Sequence, residues 1–232
     1  MMNLLLQRMT PLLVVIAMAV NSIGGMLGFG QIIPYNPERT DVVVSGDVST
    51  DIDKIVETYN AALEKTGFVI GTTSNEFVDE PVIESESNNE YTEIFMDSFV
   101  AAYNNTTANI FNVPGSGIQS FDVKSAKMSS ENGNTNIIIN IKDFTGDVND
   151  VDNGVARALG FASSSIFEEG DMTVSYTDCV IACVINEKTG KIVYADLDYK
   201  GETKCRDIEY KFGDIVIVID KMEFTLVSHI DI

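Results

Sequence analysis

One histidine and three cysteines bound the nucleophilic chemistry open to this chain. A serine or cysteine nucleophile normally works beside an imidazole, and the sole histidine is His229, three residues from the end. Cys179, Cys183 and Cys205 all lie in the last quarter, and their number is odd. A cysteine protease requires Cys179 or Cys183 to approach His229 across a sheet; the plainer alternative is a surface histidine on a strand. A zinc site meets a geometric obstacle. The Cys-x3-Cys spacing on a strand points both thiols to one face about 13 Å apart, too far to share an ion unless the strand is bulged there. The cysteines therefore read first as small buried hydrophobes, and second as a disulfide between Cys205 and one of the others.

A second candidate is the acidic stretch holding Asp143, Asp147, Asn149, Asp150, Asp152 and Asn153. Calcium takes several oxygens from one loop, which makes Asp147, Asn149, Asp150 and Asp152 its candidate ligands. Their spacing misses the EF-hand pattern. The alternative is a solvated loop in which Asp150 or Asp152 caps the following helix. Beyond calcium, no cofactor is indicated. Tryptophan is absent, which argues against a sugar cleft with aromatic platforms. A hydrolase would need a cleft gathering acids with raised pKa, and it stands as the weakest alternative. The glycines of Gly24–Gly30 lie inside an apolar run and make no phosphate loop.

Charge narrows the partners. The chain has 232 residues and a net charge of −20, and from Asp41 onward 34 acids face 13 bases. Such a surplus repels nucleic acid and anionic lipid head groups and favours solubility of an exposed domain.

The address is carried by the first forty residues. No charge occurs between Arg8 and Glu38, and Pro11–Val20 is wholly apolar. Ala17-Met18-Ala19 has the form of a signal-peptidase site but leaves a short hydrophobic region before it. Apolar residues continue through Ile33, which favours an uncleaved single span with the main domain outside the cell membrane; secretion after cleavage is the alternative. No cysteine follows the run, so lipid anchoring there is excluded. Residues 1–36 then form the anchor or signal with its linker, and residues 37–232 one extracytoplasmic domain.

The elements that must position any site follow from periodicity. Val42–Ser45 reads as a short strand or extended lead-in. Ile52, Ile55, Val56, Tyr59, Ala62 and Leu63 recur at helical spacing between the capping residues Ser49–Asp53 and Gly67. An extended segment begins at Phe68, and Glu80–Glu90 is an acidic loop. A second helix is expected over about Glu90–Tyr103 and a third pattern over Val151–Ile166. Between them, Asn132-Gly133 marks the turn of a hairpin within Ile118–Asp143. Met172–Ile185 and Lys191–Cys205 are strands joined by Asn186–Gly190, with Ile208–Phe212 as a short further piece. Ile215–Ile219 and Phe224–Ile230 close the chain as one or two strands.

Strict alternation along the first of these strands puts Met172, Val174, Tyr176, Val180, Ala182 and Val184 on one face. Thr173, Ser175, Thr177, Cys179, Ile181, Cys183 and Ile185 take the other. The predicted class is α+β: a curved antiparallel β-sheet, a half-barrel-like meander, with helices packed on one face.

The order of these elements, and the run Val174–Leu197 in particular, resembles uncharacterised extracytoplasmic domains of clostridial Gram-positive bacteria. It is more distantly similar to the half-barrel of LolA-type lipoprotein carriers. The carrier resemblance implies an acyl chain or other apolar molecule under the sheet, lined by Val174, Tyr176, Val180 and Val184 opposite Phe95 and Phe99. A packed core of the same residues is the alternative. The expected function is a noncatalytic envelope domain, tethered or secreted, binding an apolar ligand or lipid. The other reading is a scaffold module that engages an envelope protein through its acidic exterior or a sheet edge.

Overall fold

The computed structural model describes residues 42–67, 69–86, 92, 107–111, 117–147, 150, 152–159, 169–212 and 215–231. Of the expected helix at Glu90–Tyr103 only Thr92, which is helical and buried, is described; Phe95, Phe99 and the apolar N-terminal run lie outside the described residues. No helix among the described residues is long and apolar enough to cross a membrane.

Among the described residues the sheet has nine strands, all paired antiparallel. Three long ones form its centre: β7 (Glu169–Asn186), β8 (Lys191–Phe212) and β9 (Ile215–Asp231). The remaining strands flank that meander in pieces. On one side β1 (Val69–Phe77) and β2 (Val82–Glu84) both pair with β9, and β3 (Thr107–Phe111) adds to β1. On the other, β5 (Asn134–Ile141) and β6 (Phe144–Asp147) both pair with β7, and β4 (Val123–Glu131) adds to β5. The β4–β5 hairpin turns at Asn132 and Gly133, whose φ of 53° and 78° are the left-handed pair a type I′ turn requires.

Helix α1 (Ile52–Thr66) starts where Asp51 accepts from the Lys54 amide and stops at Gly67, φ 74°. Its apolar stripe of Ile55, Val56, Tyr59 and Ala62 is buried against β4 and β8. Two polar contacts fix its position: Asn60 donates to the Ile118 carbonyl, and the Ile192 amide donates to Thr66 Oγ1, each at 2.8 Å. The core thus lies on the α1 side of the sheet, filled by Ile137, Ile139 and Ile141 of β5 and the inward residues of β7–β9.

Several expectations need correction. Of the two readings of Val42–Ser45 the extended lead-in holds and the strand does not: the Ser45 amide donates to Ser129 Oγ, Asn136 donates to the Val43 carbonyl, and an isolated bridge between Ser49 and Met128 follows. The acidic stretch after Glu80 includes β2, and the acidic stretch after Asp143 includes β6. Both owe their extended form to pairing with a distant strand, which composition does not report. The segment Lys191–Phe212 is one strand rather than two, because Asp207, φ 53°, absorbs a register shift against β7 without breaking the ladder to β9.

The largest correction concerns faces. Asp178 has φ 54° and lies in a bulge between Thr177 and Val180, where β7 carries one residue more than β8. Alternation restarts one residue out of phase beyond it. Met172, Val174 and Tyr176 therefore share the core face with Cys179, Ile181, Cys183 and Ile185. Val180, Ala182 and Val184 are turned to the opposite face, where each is half-buried.

Candidate functional site

The phase shift divides the residues expected to line one cavity. Val174 and Tyr176 belong to the core, where Tyr176 stacks on Phe144 at 6.3 Å between ring centroids and meets Tyr199 edge-on at 5.8 Å. Val180 and Val184 stand across the sheet from them, with Phe95 and Phe99 outside the described residues. The four described positions do not converge.

The cysteines and the histidine are divided as well. Cys179, Cys183 and Cys205 are buried free thiols on the core side. Burial pushes each up to about 12, and the Asp198 and Asp143 charges add to the effect at Cys179. His229 stands on the other face. A thiol held protonated, with the sheet between it and the imidazole, is not an activated nucleophile.

In the acidic loop Asp150, Asp152 and Asn153 are engaged locally. Asp150 accepts from the Asp152 amide at 3.1 Å, and the Asp152 carboxylate, 92% exposed, pairs with Arg157. The residue that caps α2 (Gly154–Leu159) is Asn153 rather than Asp150 or Asp152, accepting from the Ala156 amide at 2.8 Å. Asp147 is exposed at the end of β6, and Asn149 lies outside the described residues. Arg157 also reaches inward, donating from Nε to the buried Asp122 at 2.9 Å, and its guanidinium sits 5.2 Å over the Phe121 ring. Hydrogen bonding to Asp122 is the chief reason its pKa is raised, with Asp152 adding a smaller share.

The side chains that do converge are Asp196, Asp198 and His229. Asp196 and Asp198 are two apart on β8 and so share a face, and register places His229 of β9 opposite Asp198. His229 Nδ1 lies 3.1 Å from Asp196 Oδ1 and in hydrogen-bond contact with Asp198 Oδ1. An ionised carboxylate only accepts, so Nδ1 is the protonated nitrogen in this arrangement. One ligand atom from each residue falls within 4.8 Å of the other two, and this is the one such set among the described residues. On β7 the neighbours across the ladder are Ala182 beside Asp196 and Val180 beside Asp198, neither of which carries charge.

Burial makes the set unusual. The Asp196 side chain is 2% exposed, His229 13% and Asp198 30%, although all three stand on the face away from the core. Two carboxylates around one imidazole leave a net negative charge whether or not the ring is cationic. Holding that charge out of water is costly, and proteins meet such a cost with ion pairs, hydrogen bonds or a bound cation.

Sequence reasoning weighed His229 only as a partner for the cysteines and passed over both aspartates. The signal present was the alternation Tyr194-Ala-Asp-Leu-Asp-Tyr199, which puts two acids on the face opposite three apolar residues. Compared with protein families, curated proteins and solved structures, the chain matches none.

Proposed function

We infer that this chain is a membrane-tethered, noncatalytic domain of the cell envelope, a half-barrel-like meander held close to the bilayer. Its working surface is the sheet face around Asp196, Asp198 and His229. The observation that carries the reading is the placement of a buried carboxylate and its histidine partner on the sheet face away from the core. The charge-free N-terminal run supports tethering, and the acidic surplus directs binding toward cationic groups rather than nucleic acid.

An apolar carrier draws less support. The face expected to hold an acyl chain buries Val174 and Tyr176 among other core side chains, and the bulge at Asp178 carries Val180 and Val184 away from them.

Fractionation and protease shaving of cells expressing the full chain test the assignment. The domain should sediment with membranes, resist salt extraction, and be degraded by protease added outside intact cells. Recovery in the cytosol, or protection from external protease, would overturn it.

A further inference from the structure

We propose that Asp196, Asp198 and His229 bind one first-row transition-metal dication such as Zn²⁺ or Mn²⁺. This rests on the reading of that sheet face as the working surface.

The donor set is one imidazole nitrogen and two carboxylate oxygens on adjacent strands of a continuous sheet. A sheet is a rigid mount, and the pairing of Asp198 with His229 fixes two of the three donors across the β8–β9 ladder. Three protein donors match a site whose fourth position is completed by water. Donor atoms around such an ion lie about 3.3–3.6 Å apart, as bonds of 2.0–2.2 Å at tetrahedral angles require. The 3.1 Å between Nδ1 and Asp196 Oδ1 is within a few tenths of an ångström of that spacing, and both it and the closer Asp198 contact open by side-chain rotation. On binding, the ion takes the place of the Nδ1 proton, which leaves to solvent, and the carboxylate oxygens turn from accepting a proton to ligating.

Charge decides the valence and chemistry decides the class. Two carboxylates around a neutral imidazole carry −2, which a dication cancels. Imidazole favours the later first-row metals such as Zn²⁺, and the two carboxylates also suit Mn²⁺. Calcium calls for six to eight oxygens, and magnesium for a near-octahedral oxygen shell.

The test uses the full chain in detergent micelles, carrying no polyhistidine tag and stripped with a chelator. Zn²⁺, Mn²⁺, Ca²⁺ and Mg²⁺ are each titrated by calorimetry. Because His229 is the only histidine, the imidazole nitrogen resonances of a ¹⁵N-labelled chain report on this site alone. The expected result is one Zn²⁺ or Mn²⁺ per chain and, with diamagnetic Zn²⁺, a shift of the Nδ1 resonance. Asp198→Asn and His229→Gln should each weaken binding by more than about a hundredfold, exceeding what the loss of an outer-shell partner costs. Metal-free melting of both variants shows whether they fold, and Asp152→Asn should bind as wild type does. The proposal is overturned by absence of stoichiometric binding, by binding that both folded variants retain, by preference for Ca²⁺ or Mg²⁺, or by an unmoved Nδ1 resonance with Zn²⁺. Those outcomes leave the membrane fractionation result untouched, so the two readings fail separately.

Discussion

Tyr176 and Cys179, three residues apart on one strand, both face the core because Asp178 between them holds a left-handed backbone. In a regular strand they would point to opposite sides. The bulge thereby assigns the whole sequence from Cys179 to Ile185 its inward and outward residues.

Substitution at Asp178 should follow backbone preference rather than side-chain chemistry. Asp178→Gly is expected to leave stability nearly unchanged or slightly raised, whereas Asp178→Val should cost about 1–2 kcal/mol, the penalty of a left-handed conformation in an L-residue. Deleting Asp178 should be far worse, because it would turn Cys179, Ile181, Cys183 and Ile185 to the outer face. Urea unfolding of the three variants measures all of this.

The buried thiols make stability fall in alkali. Cys179, Cys183 and Cys205 keep their protons in the folded state up to about 12, against 9.0 ordinarily. Above pH 9 the unfolded chain therefore binds fewer protons than the native one, so stability decreases as pH rises from about 9 to 12. The slope approaches about 1.4 kcal/mol per pH unit for each thiol. Burial raises Tyr59 and Tyr176 in the same direction. Denaturant melts across pH 7–11 should show the decline, and Cys183→Ala should make it shallower. A thiol reagent at pH 8 should label none of the three cysteines until denaturant is added.

Arg157 should prove unequal toward its two acids. Its partner Asp122 has a side chain only 3% exposed, so Arg157→Met strands a buried carboxylate and should cost about 3–5 kcal/mol. Asp152 is almost fully exposed, and Asp152→Asn should change stability by less than about 1 kcal/mol. Equal effects in chemical denaturation would contradict the asymmetry.

Tyr176 tests the inner face as a packed core. Tyr176→Ala removes a ring that touches both Phe144 and Tyr199 and should destabilise by about 3–5 kcal/mol, as large aromatic truncations in cores do. Native mass spectrometry of the full chain purified from its own host should give the same mass before and after organic extraction. A lipid-sized mass lost on extraction would restore the carrier reading.

Local rules made much of the fold legible in advance. Helix α1 announced itself through its apolar spacing, Asp51 and Gly67, and the β4–β5 turn through Asn132-Gly133. These features depend on residues within a turn or two of one another, where backbone preference and side-chain period act directly. The long strands of the final meander were evident too, although their continuity past Cys205 was not, since a bulge at an exposed aspartate resembles a strand end.

By itself, then, the sequence determined a charge-poor N-terminal segment followed by an acidic domain, with a capped amphipathic helix and strands joined by identifiable turns. Tertiary structure alone decided which face each strand residue occupies. Alternation has a period of two, so one bulge at Asp178 inverts every assignment beyond it, and the need for it arises from pairing with β8 rather than from anything local. For the same reason β2 and β6 are strands only because β9 and β7 stand beside them. Asp198 and His229 meet for that reason too: their positions are 31 residues apart in sequence, and only the β8–β9 register brings them opposite one another.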